Sequence, residues 1–346
     1  MKLGLYTFAA LVFILAIGAF VYTLELGVYR LDILNMSLPV TIWVVLPMIL
    51  LFLFTVAHML FYGLRNYFKL KKWHKDTNTL EDALYWSLVN EPKEQKYAMN
   101  EVGSSALLLA KSTLSVSDNV EGLSPRLAKV VNIIQKIKNG EYVDLKVEKM
   151  TKVFNDGNPI LIQNRLNCLE ADEKFVESVM RANTNYSKVV QKEALEIFAR
   201  KSDFEQARKY TKVFDVKNFL VMLNRVTSED NLQLNKETLS MFIEDLKLSC
   251  ADFIKIAEVT KKYFKPDENL ELFNKYQKEN DKAQNAYLYL LFEYELTEQV
   301  DRFLDEEDAN KFMKFRAFHQ LKGQNSRYKL EDIVDINNVC KDVKFL

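Results

Sequence analysis

Two uncharged stretches at the front of the chain limit its fold more than any other feature. Leu3 to Leu24 is 22 residues without Asp, Glu, Lys or Arg, and Ile33 to Leu64 is 32. A helix needs about 20 apolar residues, rising about 1.5 Å each, to cross a hydrocarbon layer of about 30 Å. Both stretches meet that requirement. Residues 1–64 hold only Lys2, Glu25, Arg30 and Asp32, while residues 65–346 hold the other 45 basic and 45 acidic residues. The pattern predicts two spans, the second over about Pro39–Tyr62. A polar connection from Glu25 to about Ser37 joins them, and a long, highly charged body follows.

Basic residues set orientation, because Lys and Arg collect on the cytoplasmic side. Arg65, Lys69, Lys71, Lys72 and Lys75 follow the second span, and the connection offers only Arg30 between Glu25 and Asp32. Both termini are therefore expected in the cytoplasm, with the connection outside. Tyr22, Tyr29 and Trp43 fall at one expected interface and Tyr62, Tyr67 and Trp73 at the other. The first stretch is a poor cleavable signal: its basic region is a single Lys and its apolar run is long. It is read as an uncleaved span. The five basic residues of the exit are candidate contacts for anionic lipid head groups, each contributing about 1 kcal/mol near a charged leaflet. His58 is read as a histidine of the last helical turns near the head groups, since no second charge lies in the span to partner it.

The body reads as helical. Between Gly157 and Gly323 lie 165 residues without glycine and with only Pro159 and Pro266. That leaves few means of making hairpins or βα turns. Apolar residues recur at helical spacing: Val189, Val190, Ala194, Leu195, Ile197 and Phe198; then Phe219, Leu220, Met222, Leu223 and Val226; then Leu239, Met241, Phe242 and Leu246. Ser124-Pro125 and Asn158-Pro159 are start signals, Gly140 is a stop, and Asp172, Ser187, Asn235 and Asp281 are further candidate caps. Ala286 to Phe292 is apolar on every side, as befits a helix buried among neighbours. Gly103-Ser104-Ser105 and Ser115 to Gly122 read as breaks, with a loop over 118–123. Glu141 to Val147 alternates like a strand, and one strand alone builds no sheet, so a short extended connector is expected. The expected organisation is a two-span hairpin with a basic exit over 1–75, membrane-proximal helices and a linker over 76–123, and a helical domain over 124–346. The fold class is all-α, with an α-solenoid-like body.

The chemistry of catalysis and metal binding is missing from the sequence. There is no Gly-x-Gly-x-x-Gly, no Walker-type loop, no Gly-x-Ser-x-Gly, no His-Glu-x-x-His and no Cys-x-x-Cys. Cys168, Cys250 and Cys340 are odd in number, widely spaced and in the part assigned to the cytoplasm, so they are expected as reduced, mostly buried thiols. Asp305-Glu-Glu-Asp308 lacks the alternating ligands and turn glycine of a calcium loop. It is expected to form the acidic N-terminus of a helix over Ala309–Leu321. Formal net charge is zero, which argues against a basic nucleic-acid binder. No cofactor, metal or nucleic-acid partner is expected.

Two resemblances add to this. Ala194-Leu-Glu-Ile-Phe-Ala-Arg-Lys-Ser-Asp-Phe-Glu-Gln-Ala-Arg-Lys-Tyr210 resembles the centre of a tetratricopeptide repeat, where one helix ends in a small turn and the next packs back on it. Lys201-Ser202 stands where the turn glycine usually is. Phe315-Arg-Ala-Phe-His-Gln-Leu-Lys-Gly323 resembles the first helix of such a unit. Together these cover about 187–211 and 312–323, without a fixed period along the chain. Residues 1–75 resemble the lipopolysaccharide assembly protein A domain of bacterial inner membranes. The matching pieces are the first span, Leu26-Gly-Val-Tyr-Arg-Leu-Asp-Ile33, the second span from Pro39, and the exit Arg65 to Lys75. A long helical body is a departure from that family. The resemblances imply a bacterial inner-membrane protein in envelope assembly that holds partner proteins on helical repeats.

The expected function is a membrane-anchored helical scaffold or adaptor that recruits cytoplasmic proteins. Arg200, Lys201, Arg208 and Lys209 are the candidate partner-binding residues on the outer face of the Ala194–Tyr210 pair. The alternative is a membrane-bound enzyme with an unrecognised helical active site. The sequence leaves the oligomeric state and the partner open.

Overall fold

A computed structural model describes residues 3–31, 36–116, 120–228, 230, 232–324 and 327–340. Lys2, Asp32, Ile33, Asn35 and residues 118–119 of the expected loop lie outside these. The chain forms two compact units, Met1–Val131 and Asn132–Leu346. The two long apolar helices and residues 76–123 belong to the first.

In the first unit, α1 (Leu3–Thr23) is followed by β1 (Val28–Leu31), β2 (Met36–Pro39) and α2 (Val40–Leu88). The connection is an antiparallel ribbon, with Tyr29 opposite Leu38 and Arg30 opposite Ser37. These are the only strands among the described residues. Trp43 Nε1 donates to the Tyr29 carbonyl at 3.3 Å, joining two of the aromatics expected at one interface. Helices α1 and α2 pack together, and a Cβ at Gly18 would stand 3.3 Å from Val45 Cγ2. Glycine there keeps the two helices close. Both helices are long and apolar enough to cross a membrane. Their outer surfaces are uncovered by protein: Phe8 is 72% exposed and Phe54 71%.

The 49 residues of α2 extend about 73 Å at ordinary helical rise. The helix therefore continues well past its apolar half. Its far part is held by the chain that follows. Asp76 is fully buried, and its carboxylate accepts from the backbone N–H groups of Ala98 (2.7 Å) and Met99 (2.8 Å). Ser87 donates to the Ser112 carbonyl at 2.6 Å, and its own carbonyl accepts from Leu114 N–H. Between these two fixings lies α3 (Asn100–Ala106), continued by a 3-10 turn over Leu107–Ala110. Gly103-Ser104-Ser105 is thus inside a helix and is not the break that was expected. Both serine hydroxyls fold back onto the Glu101 carbonyl (3.1 and 2.9 Å), and Gly103 lies against the Tyr97 ring. Local side-chain to backbone bonding offsets the poor helix propensity of Gly and Ser here.

Helix α4 (Pro125–Lys138) begins where Ser124-Pro125 predicts, with Ser124 Oγ donating to Glu81 Oε1 at 2.7 Å. It stops at Gly140, whose φ of +89° closes a turn with the Gly140 N–H on the Ile137 carbonyl. In the second unit come α5 (Pro159–Ala171), α6 (Glu173–Arg181), α7 (Lys188–Lys201), α8 (Phe204–Ala207) and α9 (Val216–Asn224). They are followed by α10 (Lys236–Asp245), α11 (Cys250–Tyr263), α12 (Pro266–Glu279), α13 (Gln284–Glu293), α14 (Thr297–Glu306), α15 (Met313–Gln324) and α16 (Leu330–Ile333). The body is all-α. Residues 141–144 have no regular secondary structure and 145–149 turn, so the connector expected over 141–147 turns from Leu145 and no strand forms. The Asn164 side-chain amide takes the place of a strand partner: it donates to the Val143 carbonyl and accepts from Val143 N–H, both at 2.9 Å.

Asn158, Asp172 and Asn235 cap their helices through their side chains. Ser187 occupies the cap position of α7 without a capping bond. At the expected Asp281 cap it is Asn280 that accepts, from Lys282 N–H. Packing runs from α5 to α7, α7 to α9, α9 to α11 and α11 to α13, with α6, α12 and α14 flanking this row. Every residue from Ala286 to Phe292 is buried, as the apolar run predicts. Phe242 is the hub of an aromatic cluster, stacked on Phe219 at 4.8 Å and edge-on to Phe214 at 5.1 Å.

Two further expectations are corrected. The cysteines are not three thiols: Cys250 and Cys340 form a disulfide with Cα atoms 5.8 Å apart, and only Cys168 is free and buried. The pair is 90 residues apart in sequence, so no spacing motif betrays it. The acidic run Asp305–Asp308 does not begin a helix. It closes α14, and α15 starts only at Met313. Arg316 explains how acids are tolerated at a helix C-terminus. Its guanidinium donates to the carbonyls of Leu304 (2.6 Å), Glu307 (3.0 Å) and Asp308 (3.1 Å), supplying the positive charge that end requires.

Candidate functional site

The four body residues expected to bind a partner lie where α7 turns into α8. Helix α8 is a single turn, because Arg208 to Val213 fold as successive tight turns after Ala207. Ala194, Phe198 and Ala207 are buried, as the pattern predicts, and Arg200, Lys201, Arg208 and Lys209 are exposed. Their charges differ in availability. Arg200 pairs with Glu196 at 3.7 Å, and Glu196 also receives Lys217 at 3.0 Å. Arg208 pairs with Glu205 at 3.2 Å. Lys201 instead lines a groove of about 340 Å³ between the start of α6, the end of α7 and the end of α9. Ile197 and Phe198 give that groove an apolar wall, and Lys174, Glu177, Asp203 and Arg225 give it both signs of charge.

Arg225 shapes this groove and is not signalled by any sequence motif. Its Nη1 donates to the carbonyls of Ala199 (2.9 Å) and Ser202 (2.7 Å), the last turn of α7, and its Nε to Asp230 Oδ2 (2.8 Å). A guanidinium on orphaned C-terminal carbonyls fixes the α7–α8 corner against α9. Sequence reading missed it because the contact joins positions far apart in the chain.

A second polar cluster lies between α11 and α13. The Lys261 ammonium bonds the Glu293 carboxylate and the Tyr289 hydroxyl, the latter at 3.1 Å. Burial works against the charged ammonium, but Glu293 and Tyr289 outweigh it and hold its pKa above the ordinary lysine value. Nearby, His319 Nε2 meets Asp301 Oδ1 at 2.6 Å beside a cleft of about 150 Å³. Ligand pockets usually hold about 300–1,000 Å³, so this cleft is small for a substrate. Among the described residues no group of three His, Cys, Asp or Glu is arranged to hold a metal ion.

In the first unit the five basic exit residues are all exposed on α2 and divide between two faces. Arg65, Lys69 and Lys72 stand at i, i+4 and i+7 and line one groove with Phe68 and residues 98–101. Lys71 and Lys75 do not line it. Compared with family models, curated proteins and solved structures, the chain shows no match.

Proposed function

We propose that this protein is a membrane-anchored helical scaffold: α1 and α2 insert as a hairpin, and the body gathers proteins at the cytoplasmic face of a bacterial inner membrane. The observation that carries the reading is one chain joining two lipid-length helices with uncovered apolar surfaces to a helical body that bears an open groove of mixed charge. Contiguous apolar surface of that extent marks a membrane or protein contact. The row of helices from α5 to α13 supports a stacked, solenoid-like body, the architecture that presents extended surfaces to peptides. Lys201, with Lys174 and Arg225 beside it, would receive an acidic side chain of the partner, and Ile197 and Phe198 an apolar one. Arg200, Arg208 and Lys209 rim the same corner.

The test is recovery of partners after mild detergent extraction. Arg200, Lys201, Arg208 and Lys209 are changed to Glu together. Recovery should fall while membrane retention and melting temperature hold, since exposed substitutions change stability by about 0.5 kcal/mol or less each. Unchanged recovery refutes the assigned face. Turnover of a small molecule that is abolished by single carboxylate replacements would establish the enzyme alternative.

One observation favours a second reading, in which the body lies on the oxidising side of the membrane. Disulfides persist outside the cytoplasm and are rare within it, and Cys250–Cys340 is bonded. The basic exit argues the other way. Alkylating free thiols in intact cells before lysis separates the two readings: protected Cys250 and Cys340 support the oxidising side, and modified ones the cytoplasm.

A further inference from the structure

We infer that the groove on α2 formed by Arg65, Lys69 and Lys72 is a built site for the phosphate-bearing head group of an anionic glycerophospholipid. The inference rests on the membrane-anchored reading, and it divides the basic exit into a binding face and a face that carries only topology.

The helix sets the geometry. Residues at i, i+4 and i+7 lie on one face, so the three cations form a ladder about 10 Å long. Lys71 and Lys75, themselves four apart, fall on another face. No ion pair within 4.0 Å involves Arg65, Lys69 or Lys72 among the described residues, although carboxylates are abundant in the chain. The opposite wall is the segment 98–101. It cannot drift from α2, because the buried Asp76 carboxylate holds both Ala98 N–H and Met99 N–H. The groove is open to one side and has a volume of about 550 Å³, room for a head group with its glycerol. Phe68, 56% exposed, adds an apolar contact between the first two cations.

Position selects a lipid over a free ion. If the span ends near Tyr62, Arg65 lies about 4–5 Å beyond the hydrocarbon, inside the head-group layer. Lys69 and Lys72 continue outward on long side chains able to reach back to it. A guanidinium offers a planar fork to two phosphate oxygens, and the lysines add point charges along the head group. Glu101 is the one acid lining the groove, so three cations leave a surplus of positive charge. That surplus favours an anionic head group over a zwitterionic one.

The test uses the full chain, stripped of lipid in a neutral detergent, with phosphatidylglycerol as probe and phosphatidylcholine as competitor, read by native mass spectrometry of bound lipid. Wild type should retain phosphatidylglycerol in preference to phosphatidylcholine. Arg65→Gln/Lys69→Gln/Lys72→Gln should lose at least about tenfold in affinity, and Lys71→Gln/Lys75→Gln, with no charged leaflet present in the detergent, should lose much less. Glu101→Gln should raise affinity in the wild-type background and change nothing in the triple variant. This gain guards against the triple variant failing merely by misfolding. Equal losses in the triple and the double variant, or no preference for the anionic lipid, overturn the site. Displacement of the lipid by inorganic phosphate alone would assign the groove to a free anion and overturn the lipid. Alkaline carbonate extraction of cell membranes tests the anchor separately. A chain released by carbonate sinks the membrane reading, whereas a retained chain without lipid preference sinks the groove alone.

Discussion

Leu290 offers the sharpest test of how the body is held together. It lies in α13, a helix with buried residues on every side, and both Leu290 and Leu291 are fully buried. Truncation to Ala removes three buried carbons and leaves a void that the packed neighbours α11, α12 and α14 cannot all close. The lost transfer energy and the cavity together cost about 3–4 kcal/mol at such sites. A helical domain of this size unfolds in urea with a slope near the upper part of the usual 1–3 kcal/mol/M range, about 2.5. Leu290→Ala should therefore lower the urea midpoint of a 124–346 fragment by about 1.2–1.6 M, followed by far-UV circular dichroism. Leu290→Met conserves volume and should cost less than about 1.5 kcal/mol. Val189→Ala, at a residue 56% exposed, should change stability by about 0.5 kcal/mol or less. Equal midpoints for Leu290→Ala and Val189→Ala would refute the claim that α13 is buried on every side.

Asp76→Ala removes two charge-assisted bonds of about 1.5–3 kcal/mol each, so residues 91–99 should become the first site of limited proteolysis; an unchanged digestion pattern would refute the clamp. Burial raises the Cys168 thiol to about 11, with the Asp172 carboxylate acting in the same direction and a hydrogen bond from Tyr142 opposing it. Because its folded pKa exceeds the unfolded one, stability is whole below about pH 9 and falls as pH rises toward 11, and Cys168→Ala should abolish that part of the alkaline loss. The native thiol, with only about one per cent as thiolate at pH 9, should react far more slowly than a peptide thiol with a disulfide reagent. The Cys250–Cys340 bond closes a loop of 90 residues, so reduction should cost about 4–5 kcal/mol, seen as a lower urea midpoint in reductant. A Cys250→Ser/Cys340→Ser chain should show no response to reductant, and an unchanged wild-type midpoint would refute the bond.

Features written locally in the chain were legible in it. The two apolar helices follow from charge-free length. The caps at Asn158, Asp172 and Asn235 follow from a polar residue before an apolar period. The burial of Ala286–Phe292 follows from the lack of any polar face. Periodicity also placed Phe219, Met222, Leu223, Leu239 and Phe242 inside, but it put Val189 and Met241 on the apolar face although both are exposed. A 3.6-residue period fixes a stripe and not its width. What the sequence hid was long-range. Asp76 reads as one more acid after a lysine run, yet it bonds residues 22 and 23 positions away. Arg225 and Arg316 look like surface arginines until they meet the carbonyls of other segments. The acidic run at Asp305–Asp308 was placed on the wrong helix end because the compensating charge comes from Arg316, eight to eleven residues downstream in the sequence. At the candidate site the exposure of all nine basic residues was legible. Their division into groove-lining and outlying ones was not, since it depends on the segment each helix face meets.

The central claim, that a two-helix hairpin anchors the helical body on the side of its basic exit, is tested most directly by mapping topology. Alkaline phosphatase, active only outside the cytoplasm, is fused in one chain between α1 and α2 and in another directly after Lys75. The account predicts an active enzyme from the first fusion and an inactive one from the second. Activity after Lys75 with none between the helices would contradict it and place the body, with its disulfide, on the oxidising side.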